Sequence, residues 1–190
     1  MEKLPTYSNP WQTLSTEEIY DNPWIRVREH QVIHPGGTPG IYGVVDFKNL
    51  AIGVIPIDDE GYTWLVGQYR YPHEAYTWEI PEGGGPMDQT PLESAKRELR
   101  EETGIVAEHW EEILQMDLSN SATSERAYLF IAKGLSFHES NPEDSEDLKV
   151  IRVHVDELIE RVLSGELRDS LTVAATLKLY WMRQNGKVGT

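Results

Sequence analysis

Short runs of alternating apolar and polar residues fill the first half of the chain, and helical spacing takes over later. WIRVREHQVI puts Ile25 and Val27 on one face, the period of a half-buried strand. HPGGTPG is turn chemistry, and IYGVVDF and LAIGVIPI read as two further strands, the second buried. DDEG is a hairpin-type turn into the strand YTWLVGQYRY, and PEGGGPMDQTP reads as a loop. AYLFIA and LKVIRVHV are later strands. Helical spacing appears at Leu92, Ala95 and Leu99, and again at Leu158, Val162 and Leu163, where Gly165 is a stop. A last helix lies in RDSLTVAATLKLYWMRQNG, with Asp169 or Ser170 as N-cap and Gly186 as its end. Strands first, with helices interleaved and terminal, predict an α+β protein, a mixed α/β/α sandwich rather than a regular βαβ series. No linker divides the chain, so residues 1–190 are expected to form a single domain, with an N-terminal strand region over 1–48 and a core over 49–190.

Composition narrows the chemistry. A chain of 190 residues can bury a proper core, and its lack of cysteine excludes disulfides, thiolate metal sites and cysteine nucleophiles. The N-terminus has no apolar signal core and no run is long enough to span a membrane, so a cytoplasmic protein is expected. A net charge of −15 argues against nonspecific binding to nucleic acid. The same charge would repel an anionic substrate unless a cation mediates.

The predicted helix from Pro91 to Thr103 carries the sharpest signal. Thr90 is a natural N-cap, Pro91 suits the first position, Glu93 completes a capping box and Gly104 fits the left-handed end. Glu93 and Arg97 are four apart in the favourable order, and Arg97 also reaches Glu101. Glu98 and Glu102 flank the apolar stripe and have no basic residue three or four positions away. Like charges four apart cost a helix roughly 0.2–0.5 kcal/mol per pair, so these two carboxylates call for a cation. Oxygen ligands suit Mg²⁺ or Mn²⁺, and magnesium commonly shares its shell with substrate phosphates. A metal of that kind would let an acidic protein bind a diphosphate.

At these residues the sequence resembles the Nudix hydrolases, whose box reads Gly-x5-Glu-x7-Arg-Glu-U-x-Glu-Glu-x-Gly-U with U aliphatic. Gly83, Arg97, Glu98, Leu99, Glu101, Glu102, Gly104 and Ile105 match. Gln89 stands where the family has its first glutamate, whose part is to support the box through the arginine. The resemblance implies the Nudix fold, here with N-terminal antiparallel strands. It implies metal ligation by Glu98 and Glu102 with Glu101 assisting, and by the backbone carbonyl of Glu82. It implies attack of water on a diphosphate.

QYRYPHEAYTWEIPEGGG is similar to the branch acting on ADP-ribose and other nucleoside diphosphate sugars, through Gln68, Arg70, Glu79, Pro81 and Gly83. Arg70 then either meets a phosphate or pairs with Glu79. In that branch a late acidic loop supplies a catalytic carboxylate, here Glu146, with Glu143 and Asp144 as alternates. SNSATSERAY resembles that branch's loop before a late strand, which implies that Glu125 faces the site. Trp24, Tyr69 and Trp78 are candidates to stack the base. N-terminal strands in the branch pair across a dimer, which implies a homodimer. The six histidines read as structural or surface residues. The expected activity is Mg²⁺-dependent hydrolysis of ADP-ribose to AMP and ribose 5-phosphate, with ADP-glucose, GDP-mannose or UDP-glucose as other substrates. The alternatives are a pyrophosphohydrolase of a nucleoside triphosphate or dinucleoside polyphosphate, and a noncatalytic nucleotide-binding Nudix module.

Overall fold

The computed structural model describes residues 3–140 and 147–187. The chain forms two compact units, one of Met1–Lys48 with Leu118–Glu125, the other of Asn49–Asp117 with Arg126–Thr190.

In the first unit, strands β1 (Gln12–Asp21), β2 (Ile25–Ile33) and β3 (Pro39–Phe47) form an antiparallel sheet in the order β1-β2-β3. Between β1 and β2 the Asn22 carboxamide oxygen accepts the amides of Trp24 and Ile25, at 2.9 and 2.7 Å, which fixes the turn. All ten residues of β1 are exposed. The segment Leu118–Glu125 joins β3 through a parallel bridge between Val45 and Thr123, and the Tyr42 hydroxyl donates to the Ser121 carbonyl at 2.5 Å.

The second unit runs β4 (Asn49–Pro56), β5 (Tyr62–Arg70), β6 (Ala75–Glu79), β7 (Glu82–Pro86), α1 (Pro91–Thr103), β8 (Ile105–Asp117), β9 (Arg126–Phe137), β10 (Lys149–His154), α2 (Val155–Leu163) and α3 (Ser170–Gln184). A four-stranded sheet has the order β7-β4-β9-β8, and a three-stranded antiparallel sheet the order β10-β5-β6. Strand β4 is the hinge of the larger sheet, antiparallel to β7 and parallel to β9. Its residues alternate between two helices. Leu50, Ile52 and Val54 pack with Ala95 and Leu99 of α1. Gly53 faces the other way, where a Cβ would stand 3.4 Å from Leu171 of α3. Helices α1 and α3 thus cover opposite faces, the expected α/β/α layering. Among the described residues no helix is long and apolar enough to cross a membrane.

Helix α1 has the ends its sequence foretells. The Thr90 hydroxyl accepts the Glu93 amide at 3.2 Å while the Glu93 carboxylate accepts the Thr90 amide at 3.0 Å. Gly104 closes the helix at φ 71°, and a Cβ there would lie 2.1 Å from the His138 carbonyl. Leu99 is fully buried between α1 and the sheet. Leu99→Ala is therefore expected to lower stability by about 2–5 kcal/mol, read as a lower urea midpoint at unchanged slope.

Residues of PEGGGPMDQTP, expected as a loop, include a strand: Glu82–Pro86 is β7, in register with β4 from Asn49 opposite Pro86 to Gly53 opposite Glu82. Three glycines give this strand no propensity of its own. Pairing with β4 makes it extended, and the missing side chains let α1 approach.

Candidate active site

Two carboxylates of α1 lie one turn apart against the backbone of β7. Glu98 is 9% exposed and Glu102 is 3% exposed. The Glu98 carboxylate fills the space over Gly83, where a Cβ would stand 2.4 Å from its carboxyl carbon. The Glu82 amide donates to Glu102 Oε2 at 3.0 Å. The first glycine of the motif is thus explained by contact rather than by a turn. Only a residue without a Cβ lets this carboxylate rest on the strand.

Arg97 braces the group. Its Nη2 donates to Glu98 Oε1 at 2.7 Å and to the Gly84 carbonyl at 2.6 Å, and its Nη1 donates to Glu101 Oε2 at 2.7 Å. This corrects two sequence expectations. Glu98 does have a basic partner, its immediate neighbour Arg97. The expected Glu93–Arg97 pair is not formed, because the Glu93 carboxylate is held by the amide and hydroxyl of Thr90. An arginine is long enough to bend back toward an adjacent residue when a strand carbonyl holds its tip, a reach that helical spacing alone does not count. Gln89 lies exposed in the turn before α1, its amide donating to the Pro86 carbonyl at 3.1 Å. Among the described residues its side chain makes no hydrogen bond, so the Gly84 carbonyl and two glutamates hold Arg97 without it.

A second group lies on β5, β6 and β7. Arg70 donates through Nε to Glu79 Oε2 at 3.0 Å, through Nη2 to Glu79 Oε1, and through Nη2 to Glu82 Oε1 at 2.8 Å. Gln68 Nε2 also donates to Glu79 Oε1, at 2.8 Å. Of the two expectations for Arg70, the pair with Glu79 is the one formed. Burial raises the Glu79 carboxyl above its ordinary range, although Arg70 pulls it the other way. Trp78 is half-buried, and its ring covers Gly67 of β5, where a Cβ would meet it at 2.8 Å. Tyr69 is exposed.

Trp24 is exposed in the first unit. Glu125 also belongs to that unit, where its carbonyl accepts the Leu118 amide at 3.0 Å and burial raises its carboxyl. Glu146, Glu143 and Asp144 lie outside the described residues. The sequence reading placed Asp169 only as a helix cap, and it does accept the Thr172 amide at 2.7 Å. It also brings a carboxylate to Glu79 and Glu82, one oxygen of each lying within 4.8 Å of the others. No periodicity or motif connects a residue at 169 with one at 82.

Glu98, Glu101, Glu102 and the Glu82 backbone offer oxygen donors only, the set that suits a hard divalent cation. Gly83 makes the cradle that lets Glu98 take its place among them. The residues present therefore fit a cation of the magnesium type.

Comparison with known proteins places the chain in a family. The family model for the nucleoside diphosphate sugar hydrolase N-terminal domain matches residues 11–45, and that for the NUDIX domain matches residues 47–172. The chain is 30% identical over 176 residues to an ADP-ribose pyrophosphatase of Mycobacterium tuberculosis, covering 90% of this chain and 83% of that one. It is 31% identical over 166 residues to a methanol dehydrogenase activator of Bacillus methanolicus, covering 86% of this chain and 89% of that one. The crystal structure of an ADP compounds hydrolase superposes with a TM-score of 0.83 at 20% identity, over 97% of this chain and 100% of that one, and so shares the fold. With the NUDIX domain spanning residues 47–172, more than half its length, the chain belongs to the Nudix hydrolase family.

Proposed function

We propose that the protein hydrolyses the pyrophosphate bond of a nucleoside diphosphate sugar, with ADP-ribose as first substrate and Mg²⁺ as cofactor. The observation that carries this reading is the burial of Glu98 and Glu102 side by side on the backbone of Gly83 and Glu82. Two acidic groups so placed are a pre-formed seat for a cation, and Arg97 keeps Glu98 and Glu101 in place before any ligand arrives. The substrate class is supported by the match of residues 11–45 to the nucleoside diphosphate sugar hydrolase N-terminal domain and by the likeness to the mycobacterial ADP-ribose pyrophosphatase.

In this reading Glu98 and Glu102, with Glu101 and the Glu82 carbonyl, hold Mg²⁺, and Mn²⁺ serves in its place. The bound cation supplies charge stabilisation at the phosphoryl oxygens. Water attacks one phosphorus of the P–O–P bridge, the bridging oxygen leaves with the other phosphate, and AMP and ribose 5-phosphate result. Glu146 is assigned as the carboxylate that takes the proton of the attacking water. Arg70 acts through its neighbours, holding Glu79 and the start of β7, and Glu125 and Trp78 are assigned to substrate contact.

A homodimer is part of the same proposal. Leu14, Ile19 and Tyr20 are exposed on β1, an edge strand paired with β2 on one side only and with all ten residues exposed. Sedimentation is expected to give twice the chain mass, with a monomer contradicting it.

The test is a substrate panel with Mg²⁺ and with Mn²⁺, products identified by chromatography. ADP-ribose is expected to turn over fastest, ahead of ADP-glucose, GDP-mannose and UDP-glucose, and well ahead of nucleoside triphosphates and dinucleoside polyphosphates. Preference for a triphosphate or dinucleoside polyphosphate would replace the substrate assignment. No turnover of any member would leave a nucleotide-binding module instead.

A further inference from the structure

The side chains at the start of β7 point to opposite faces, as in any strand. Gly83 faces α1 and carries Glu98 on its surface. Glu82 is paired with Gly53, which faces α3, so its side chain turns away from Glu98 and toward the first residues of α3. There it meets Glu79 from β6 and Asp169 from the α3 cap, with one carboxylate oxygen of each within 4.8 Å of the others.

Two observations show that this group is incomplete. The Glu82 side chain is 10% exposed, and among the described residues its Oε2 has no hydrogen-bond partner. Its other oxygen accepts from Arg70, and the nearby Asp169 carboxylate has no proton to donate when ionised. Secondly, among the described residues three carboxylates share one guanidinium, since Arg70 bonds Glu79 and Glu82 and interacts with Asp169 as well. Gln68 adds a neutral donor to Glu79. Glu79 is buried and Glu82 and Asp169 are half-buried, so the excess negative charge is poorly solvated.

We propose that Glu79, Glu82 and Asp169 form a second divalent-cation site, on the α3 face of β7 and separate from the box glutamates on the α1 face. Hard cations hold oxygen ligands at roughly 2.0–2.6 Å, so oxygens of one shell lie up to about 4–5 Å apart, the spread seen here. An all-oxygen set with no sulfur or imidazole suits Mg²⁺, Mn²⁺ or Ca²⁺ and not zinc. The ion would tie the first residue of β7 to the cap of α3 and hold Arg70 through Glu79 and Glu82.

The experiment counts Mn²⁺ bound to the full-length protein by electron paramagnetic resonance in a Glu98→Gln/Glu102→Gln background, which removes the α1 site. One Mn²⁺ per chain is expected to remain. Adding Asp169→Asn should weaken it by about tenfold or more. Asparagine is as good an N-cap as aspartate, so the start of α3 is kept, which far-UV circular dichroism checks. If that variant does not fold, Glu82→Gln, which keeps the backbone and an acceptor for Arg70, carries the same expectation. Absence of bound Mn²⁺ in the double variant overturns the proposal, and so does undiminished binding after loss of the Asp169 or Glu82 charge. Neither result depends on which nucleotide the enzyme hydrolyses.

Discussion

Glu102→Gln is expected to lower kcat on ADP-ribose by on the order of 10²–10³-fold while leaving the fold intact. The side chain is 3% exposed, and Oε2 accepts the Glu82 amide at 3.0 Å. A carboxamide oxygen can accept the same bond, so the contact between α1 and β7 survives. The carboxylate charge does not survive, and with it goes a hard anionic donor of the proposed cation seat. The measurement pairs steady-state kinetics in Mg²⁺ with urea unfolding. Near-normal turnover would remove Glu102 from the metal-holding set, and a collapse of stability would make its role structural.

Gly83→Ala is expected to produce a similar loss of turnover by a different route. The new Cβ would lie 2.4 Å from the Glu98 carboxyl carbon and within 2.7 Å of both its oxygens. Those atoms are the far end of a flexible side chain, so the fold can absorb the methyl group by moving them. Moving them is what damages the site. A displacement of about 1 Å at a reacting centre costs around 10²-fold. Stability should change little, and Mg²⁺ should be needed at higher concentration. Unchanged kinetics would mean that the position of Glu98 over the strand is not what activity requires.

The parts of the molecule most legible in the sequence were those fixed by local chemistry. Helix α1 has its cap, box and glycine stop where Thr90, Glu93 and Gly104 placed them. Strand β4 was visible as an apolar run because both of its faces are covered. Strand β7 was not visible, since EGGGP has no strand propensity and becomes extended only through β4. Strand β1 lacked the signal for the opposite reason: QTLSTEEIYD buries no face, so no alternation marks it. Within the site, helical spacing foretold the Arg97–Glu101 pair but not the bond from Arg97 to its neighbour Glu98. Helical spacing sees neighbours on one cylinder, whereas the Gly84 carbonyl that holds the arginine belongs to a strand. Asp169 was legible as a cap and illegible as a partner of Glu79 and Glu82, because only the packing of α3 on the sheet brings them together.

Hydrolysis of a diphosphate at the face of α1 that carries Glu98 and Glu102 is the activity proposed for this protein. Phosphorus NMR of ADP-ribose incubated with the protein and Mg²⁺ tests it most directly. The two diphosphate resonances should give way to two phosphomonoester resonances, those of AMP and ribose 5-phosphate. They should persist unchanged with Glu102→Gln or excess EDTA over the same interval. Persistence of the diphosphate with the wild-type protein, or its full conversion by the Glu102 variant, would contradict the account.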